Sequence, residues 1–203
     1  MTPNAEEMDL KDRLSLIESM IAEGRRSTGS WAWTFVFWGL AYYVAIAWTA
    51  VYHWPWAWLV TMASAWVVCM VIIQRKKKNQ QERRPGTTIG RAIFAIWIAM
   101  GVSLSLLLPA LGLSGRFDQH IFVAIVAAML GIANGASGMI IRWKAQIGTA
   151  IVWWGAAVAA CFGSDEQCRI VFLVAIFLCQ ILFGGYAMLW EARVRKLEGA
   201  HHA

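Results

Sequence analysis

The stretch Arg169–Trp190, RIVFLVAIFLCQILFGGYAMLW, decides how the rest of the chain is read. After Arg169 it holds no Asp, Glu, Lys or Arg, and Gln180 is its one amide side chain. An α-helix rises about 1.5 Å per residue, so roughly 20 apolar residues cross the hydrocarbon core of a bilayer. This run is long enough to do so. Five more apolar runs lie upstream, near 31–52, 56–74, 92–112, 119–141 and 146–162, and none carries Asp, Glu, Lys or Arg in its central part. In lipid a helix satisfies its own backbone polar groups, which is why such runs become helices there. The expected fold is all-α: a polytopic membrane protein with six transmembrane helices in one bundle.

Composition agrees with this reading. The 203 residues are 59% hydrophobic and 15% charged, with a mean hydropathy of +0.53, which selects the membrane class over a soluble domain. The charges that remain are grouped. Lys11, Arg13, Arg25 and Arg26 precede the first run, and Arg75, Lys76, Lys77, Lys78, Arg83, Arg84 and Arg91 surround the second connection. Arg142 and Lys144 mark the fourth connection, and Arg193, Arg195 and Lys196 follow the last run. The alternate connections hold only Arg116 and Arg169. Lys and Arg are retained on the cytoplasmic side during insertion, so both termini are expected inside. The natural home is a bacterial cytoplasmic membrane. The net charge of +6 then reflects topology and attraction to anionic lipid headgroups, and calls for no nucleic acid.

Three regions are expected: residues 1–30, residues 31–190 with a basic loop at 75–91, and a cytoplasmic tail at 191–203. Residues 6–24, EEMDLKDRLSLIESMIAEG, read as a short amphipathic cytoplasmic helix, because Leu10, Leu14, Ile17 and Ile21 are spaced to share one face. That face would lie on lipid, dock under the bundle, pair with a second copy as a homodimer, or bind a cytoplasmic protein. The short connections favour three antiparallel hairpins. An internal echo is also visible: Arg26 precedes Trp38-Gly39 by the same distance as Arg142 precedes Trp154-Gly155.

Trp48, Trp54, Trp56 and Trp58 gather near one interface and Trp31, Trp33, Trp143 and Trp190 near the other, as aromatic belts do. Trp38, Trp66, Trp97, Trp153 and Trp154 lie deeper. Trp38, Trp97 and Trp154, with Asn134 and Gln180, are the candidates for a ligand-lined interior or a polar helix contact. An amide should not face lipid, and Gln180 is the obvious counterpart of Asn134. Gly131, Gly135 and Gly138 form a small-residue surface on the fourth run, and Gly184 and Gly185 offer another on the last. Such surfaces let membrane helices approach closely.

Gly135-Ala136-Ser137-Gly138 resembles the GxSG motif of the rhomboid intramembrane proteases, and six spans match the rhomboid core. The resemblance implies that Ser137 is a nucleophile paired with a histidine in the last span. That span holds no histidine here, and a serine needs a nearby base to be activated. His53 and His120 fall at the far face, and His201 and His202 lie in the tail. A protease is therefore disfavoured, and so is an ion-coupled carrier, since no ionisable group lies in the span interiors.

Cys161 and Cys168 bracket the turn FGSDEQ and are placed to form a disulfide if that side is oxidising. His53 and His120, with Asp118, Asp165 and Glu166, are the weak candidates for zinc or haem ligation, but no two histidines share a helix face. No cofactor is expected. The functional expectation is a non-enzymatic sensor, scaffold or accessory subunit that binds a partner through its cytoplasmic face. The alternative is a small-solute or lipid transporter with a neutral polar site in the bundle.

Overall fold

The computed structural model describes residues 10–16, 18, 19, 31–52, 56–79, 88–116 and 118–201. Six long helical stretches run through it: α1 (Ala32–Tyr52), α2 (Ala57–Asn79), α3 (Thr88–Leu113), α4 (Gln119–Ile140), α5 (Lys144–Phe162) and a final composite span. That span comprises α6 (Asp165–Ile176), a π-helical turn (Phe177–Leu182) and α7 (Phe183–His201). All six are long and apolar enough to cross a membrane. The chain is an all-α, multi-pass membrane bundle.

Local chemistry sets the ends. Asp118 caps α4, its carboxylate accepting from the amides of His120 and Ile121. Ser164 caps α6 in a reciprocal box with Gln167, and Asp165 and Glu166 in the first turn suit the positive end of the helix dipole. This cap starts the last span at Asp165, four residues before the apolar run begins. Pro109 lies inside α3 and cannot donate to the carbonyl four residues back.

The three-hairpin expectation needs refinement. The closest packing is between α4 and α5, which belong to different hairpins in that scheme. Their link is tight: Arg142 takes a left-handed backbone at φ 51°, and the Trp143 amide donates to Gly138 at 2.8 Å. The other contacts pair α1 with α2, α3 with α4, α5 with α6, and α1 with the final span. Of the α4 span 61% is buried, against none of α3, so α3 lies at the rim and α4 in the middle.

α1 reaches the final span through two glycines. A Cβ on Gly39 would stand 2.8 Å from Gln180 Cβ, and one on Gly184 would stand 2.7 Å from Val36 Cγ2 and 3.1 Å from the Val36 backbone nitrogen. Tyr43 adds a hydrogen bond across this contact, donating to the Leu173 carbonyl at 2.8 Å. Gly185 has nothing within 4 Å of its Cβ position, so of the expected pair Gly184 alone marks a close approach.

Two apolar clusters fill the interior. The larger joins Tyr42, Phe122, Leu130, Trp153, Phe172 and Cys179 with their neighbours. The smaller, at the end bearing Arg142 and Lys144, joins Ala32, Phe35, Ile141, Trp143, Phe183 and Ala187. Trp143 corrects one sequence expectation. It is 7% exposed and stacks near Phe183, Tyr186 and Trp190, so it is a core residue and not part of an interfacial belt. Trp58 likewise packs on Phe122 at 4.8 Å. Trp48 and Trp56 are exposed.

The α1 contact yields a direct test. Gly184→Leu should destabilise the purified protein by about 1–3 kcal/mol, the usual range for overpacking, while Gly185→Ala should leave the thermal midpoint unchanged. Thermal unfolding in detergent, followed by loss of helical circular dichroism, reads both. Equal effects from the two substitutions would mean that α1 does not dock as described.

Candidate functional site: a buried polar layer

Between the two apolar clusters lies a layer of neutral polar side chains. Asn134, Ser137 and Gln146 are wholly buried, Gln180 is 2% exposed, and Thr149 is also buried. The layer follows from helix geometry. On α4 the face carries Leu130, Asn134, Ser137 and Ile141; on α5 it carries Gln146, Thr149 and Trp153. Spacings of three and four keep each set on one face.

The two faces meet in antiparallel register. The single hydroxyl hydrogen of Thr149 is shared between Gln146 O of its own helix, at 2.7 Å, and Asn134 Oδ1 across the interface, at 3.3 Å. Asn134 Nδ2 donates to Leu130 O at 2.9 Å. Moving one turn back along α4 and one turn forward along α5 from this pair reaches Leu130 and Trp153. The opposite step reaches Ser137 and Gln146. Asn134 therefore bonds across the interface to Thr149 and not to Gln180, because α5 covers this face of α4.

Gln180 enters from the π-helical turn, at the same depth as Asn134: each is fifteen residues beyond the start of a span that runs in the same direction (119 to 134, 165 to 180). The wider turn holds both Cys179 and Gln180 in the interior. Cys179 Sγ donates to the Thr149 carbonyl at 3.5 Å, which ties the π turn to the polar layer. π turns recur at functional sites because they reorient side chains within a helix.

Several atoms of this layer lack partners. Among the described residues, Ser137 Oγ, Gln146 Oε1, Gln146 Nε2 and Gln180 Oε1 have none, and neither does Trp153 Nε1 one turn away. Arg142 and Lys144, in the nearby turn, are exposed.

The glycine strip of α4 faces a neighbouring strip of α5. A Cβ on Gly131 would stand 2.3 Å from Trp154 Cδ1, and one on Gly135 would stand 2.9 Å from Trp154 Cη2 and 3.4 Å from Ala150 Cβ. The space is thus taken by an indole. Only at Gly138 does backbone approach closely, with Ile147 N at 3.0 Å from the Cβ position.

The deeper tryptophans do not converge. Trp38 packs on Trp66 with ring centres 5.8 Å apart, Trp97 on Phe35 at 5.3 Å, and Trp154 lies over the glycines while 40% exposed. The Trp-Gly echo also parts here: Gly39 marks a close approach, whereas Gly155 has nothing within 4 Å of its Cβ position.

At the other end of α4, His120 Nε2 lies 2.7 Å from Asp165 Oδ1 and His120 Nδ1 lies 2.6 Å from the Ala160 carbonyl. The ring thereby clips α4, α5 and α6 together, and Gln119 adds a bond to Asp165 O at 3.0 Å. Among the described residues no group of three or more metal-binding side chains occurs, and His53 lies outside them. Ser137 sits seventeen residues from His120 along α4, about 25 Å at 1.5 Å per residue, and has no exposed surface. Cys161 and Cys168 are free thiols. Cys161 is exposed with Sγ turned to its own helix at Ala157 O, while Cys168 is buried.

No model of a known protein family, no curated protein and no solved structure matches this chain.

Asn134, Gln180 and Ser137 stand out in the sequence as isolated polar residues in apolar runs. Gln146 and Thr149 escape that reading because they fall at the edge of the fifth run, in WKAQIGT, where polar residues normally meet water. Their spacing of three, followed by Trp153 four later, is the available signal. Thr149→Val should cost about 1–3 kcal/mol, since it leaves the buried Asn134 carbonyl oxygen without its donor. The double variant Asn134→Leu with Thr149→Val should recover part of that loss, read from thermal midpoints in detergent.

Proposed function

We propose that the protein is a non-enzymatic sensor, scaffold or accessory subunit of a bacterial cytoplasmic membrane, with both termini inside, that binds a partner through its cytoplasmic face. One observation carries this reading: the N-terminal segment is helical at 10–16 and presents Leu10, Leu14 and Leu16 at 53–60% exposure. An apolar helical face that its own chain leaves uncovered is suited to a partner helix or groove. Ile17, Met20 and Ile21, which the sequence adds to that face, lie outside the described residues. A fully buried Ser137 with His120 far along the helix supports the non-enzymatic part.

Orientation rests on the Lys and Arg asymmetry. A fluorescent-protein fusion after residue 203 should be bright, and an alkaline phosphatase fusion at Gly115 should be active; the reverse pattern overturns the topology. Affinity purification in mild detergent tests the partner. The full chain should retain a specific protein that a chain lacking residues 1–24 loses, and recovery of the same proteins by both removes the main support.

A second reading is favoured by the burial of Asn134, Gln146 and Gln180 between the helices: passage of a small neutral solute through the polar layer. Liposomes holding the protein should then show solute flux that Asn134→Leu or Gln180→Leu reduces. No flux across a broad panel of neutral solutes counts against it.

A further inference from the structure

His120 stands where three spans meet, at the end of α4 opposite Arg142, and both of its ring nitrogens are taken. Nδ1 lies 2.6 Å from the Ala160 carbonyl on α5, and Nε2 lies 2.7 Å from Asp165 Oδ1 on α6. The Ala160 carbonyl is one that its own helix leaves over. The Ser164 amide, four residues on, is placed to be its partner but donates to Gln167 Oε1 in the cap of α6. The last carbonyls of a helix need donors from outside it, and His120 faces this one. One ring thus closes the end of α5 and the start of α6 onto α4.

Both partners only accept. A neutral imidazole has a single N–H, so it serves one of the two oxygens and turns a lone pair on the other. The doubly protonated ring serves both. Negative groups meet it from each element: Asp118 from the α4 cap, Asp165 from α6, and the carbonyl end of the α5 dipole. The positive end of α4 acts in the opposite sense, and the Asp118 carboxylate sits on it. Two thiols share this corner, Cys161 on α5 and Cys168 on α6, the latter close to Asp118 and Asp165. Arg116, Glu166 and Arg169 are exposed.

We infer that His120 is a proton-operated clip, holding the α5–α6 turn on α4 when its ring is charged and releasing one side of that contact when the ring is neutral. The sign follows from the bonds. Both are whole at acid pH, and one gives way to a lone pair facing an oxygen as the ring loses its proton on going alkaline. The release is local, because Gln119 still donates to the Asp165 carbonyl at 3.0 Å and Phe122 still packs on Trp58 and Phe172. What loosens is the first turn of α6, where Cys168 lies with no exposed surface. On the orientation proposed above this corner faces outside, so the clip responds to external pH. It needs no partner, and it stands or falls independently of the sensor reading.

The test is the rate at which a small maleimide labels Cys168 in the purified full-length protein in detergent. Mass spectrometry of the Cys168 peptide reads it at about pH 6 and about pH 9, on either side of the range in which histidine changes charge. Thiol reactivity itself rises with pH, so each variant is compared with the parent at the same pH. His120→Gln carries no ionisable ring. It should label several-fold faster than the parent at the lower pH and at about the parent's rate at the higher. Asp165→Asn offers an amide that can accept from the charged ring or donate to the neutral one. It should match the parent at the lower pH and label several-fold more slowly than the parent at the higher. Size-exclusion profiles and thermal midpoints establish that each variant is folded; should His120→Gln fail to fold, Asp165→Asn carries the test alone. A ratio of His120→Gln to parent that is the same at both pH values overturns the proposal and leaves His120 a packing residue. So does a folded Asp165→Asn protein that labels as fast as the parent at the higher pH.

Discussion

The close approach of α4 and α5 is the constraint on which the rest of the bundle depends. In lipid no hydrophobic drive pulls helices together, so contact must come from shape and hydrogen bonding. Gly131 and Gly135 receive the Trp154 indole, and Gly138 lets the α5 backbone come within van der Waals reach. Once that seam is closed, its second face is set too. Asn134 meets Thr149, with Leu130 and Trp153 one turn to one side of that pair and Ser137 and Gln146 one turn to the other. The tight turn at Arg142 follows from the same geometry, because a longer loop would slide the rungs out of step.

The final span completes the layer from the other side. Its π-helical turn lies where α1 crosses, and Gly39 and Gly184 clear the space for that crossing. The turn brings Cys179 to the Thr149 carbonyl and holds Gln180 in the interior. A polar layer held by three spans and enclosed by two apolar clusters is costly to assemble in a membrane. Outside it, Thr61 is the one other buried polar side chain among the described residues. The His120 clip at the far end pins the same three spans, so both ends of the α4–α5–α6 unit are fixed while α2 and α3 pack outside it.

Much of this was legible before any coordinates. The six apolar runs each fall on one of the six helical spans; the last begins earlier than expected because Ser164 and Gln167 form a cap, and its helix runs on past Trp190 to His201. Asn134 and Gln180 were visible as amides in apolar surroundings. Their relation was not: each looked like the other's partner until Thr149 took that role. Gln146 was hidden by its place at a helix end, beside Lys144, where a polar side chain ordinarily needs no explanation. Trp143 was misplaced for the same reason. A residue near a helix end reaches water or core according to how its neighbours tilt, and local sequence does not encode tilt.

The sequence by itself determined that the chain crosses a membrane six times as helices, because apolar length and backbone satisfaction are local properties of each segment. It also marked where small and polar residues break those segments. Which of those residues meet was decided only by the tertiary structure. Register between α4 and α5, the crossing of α1 over the π turn, and the burial of Gln146 all depend on packing between segments far apart in the chain. Those contacts convert scattered neutral side chains into one polar layer.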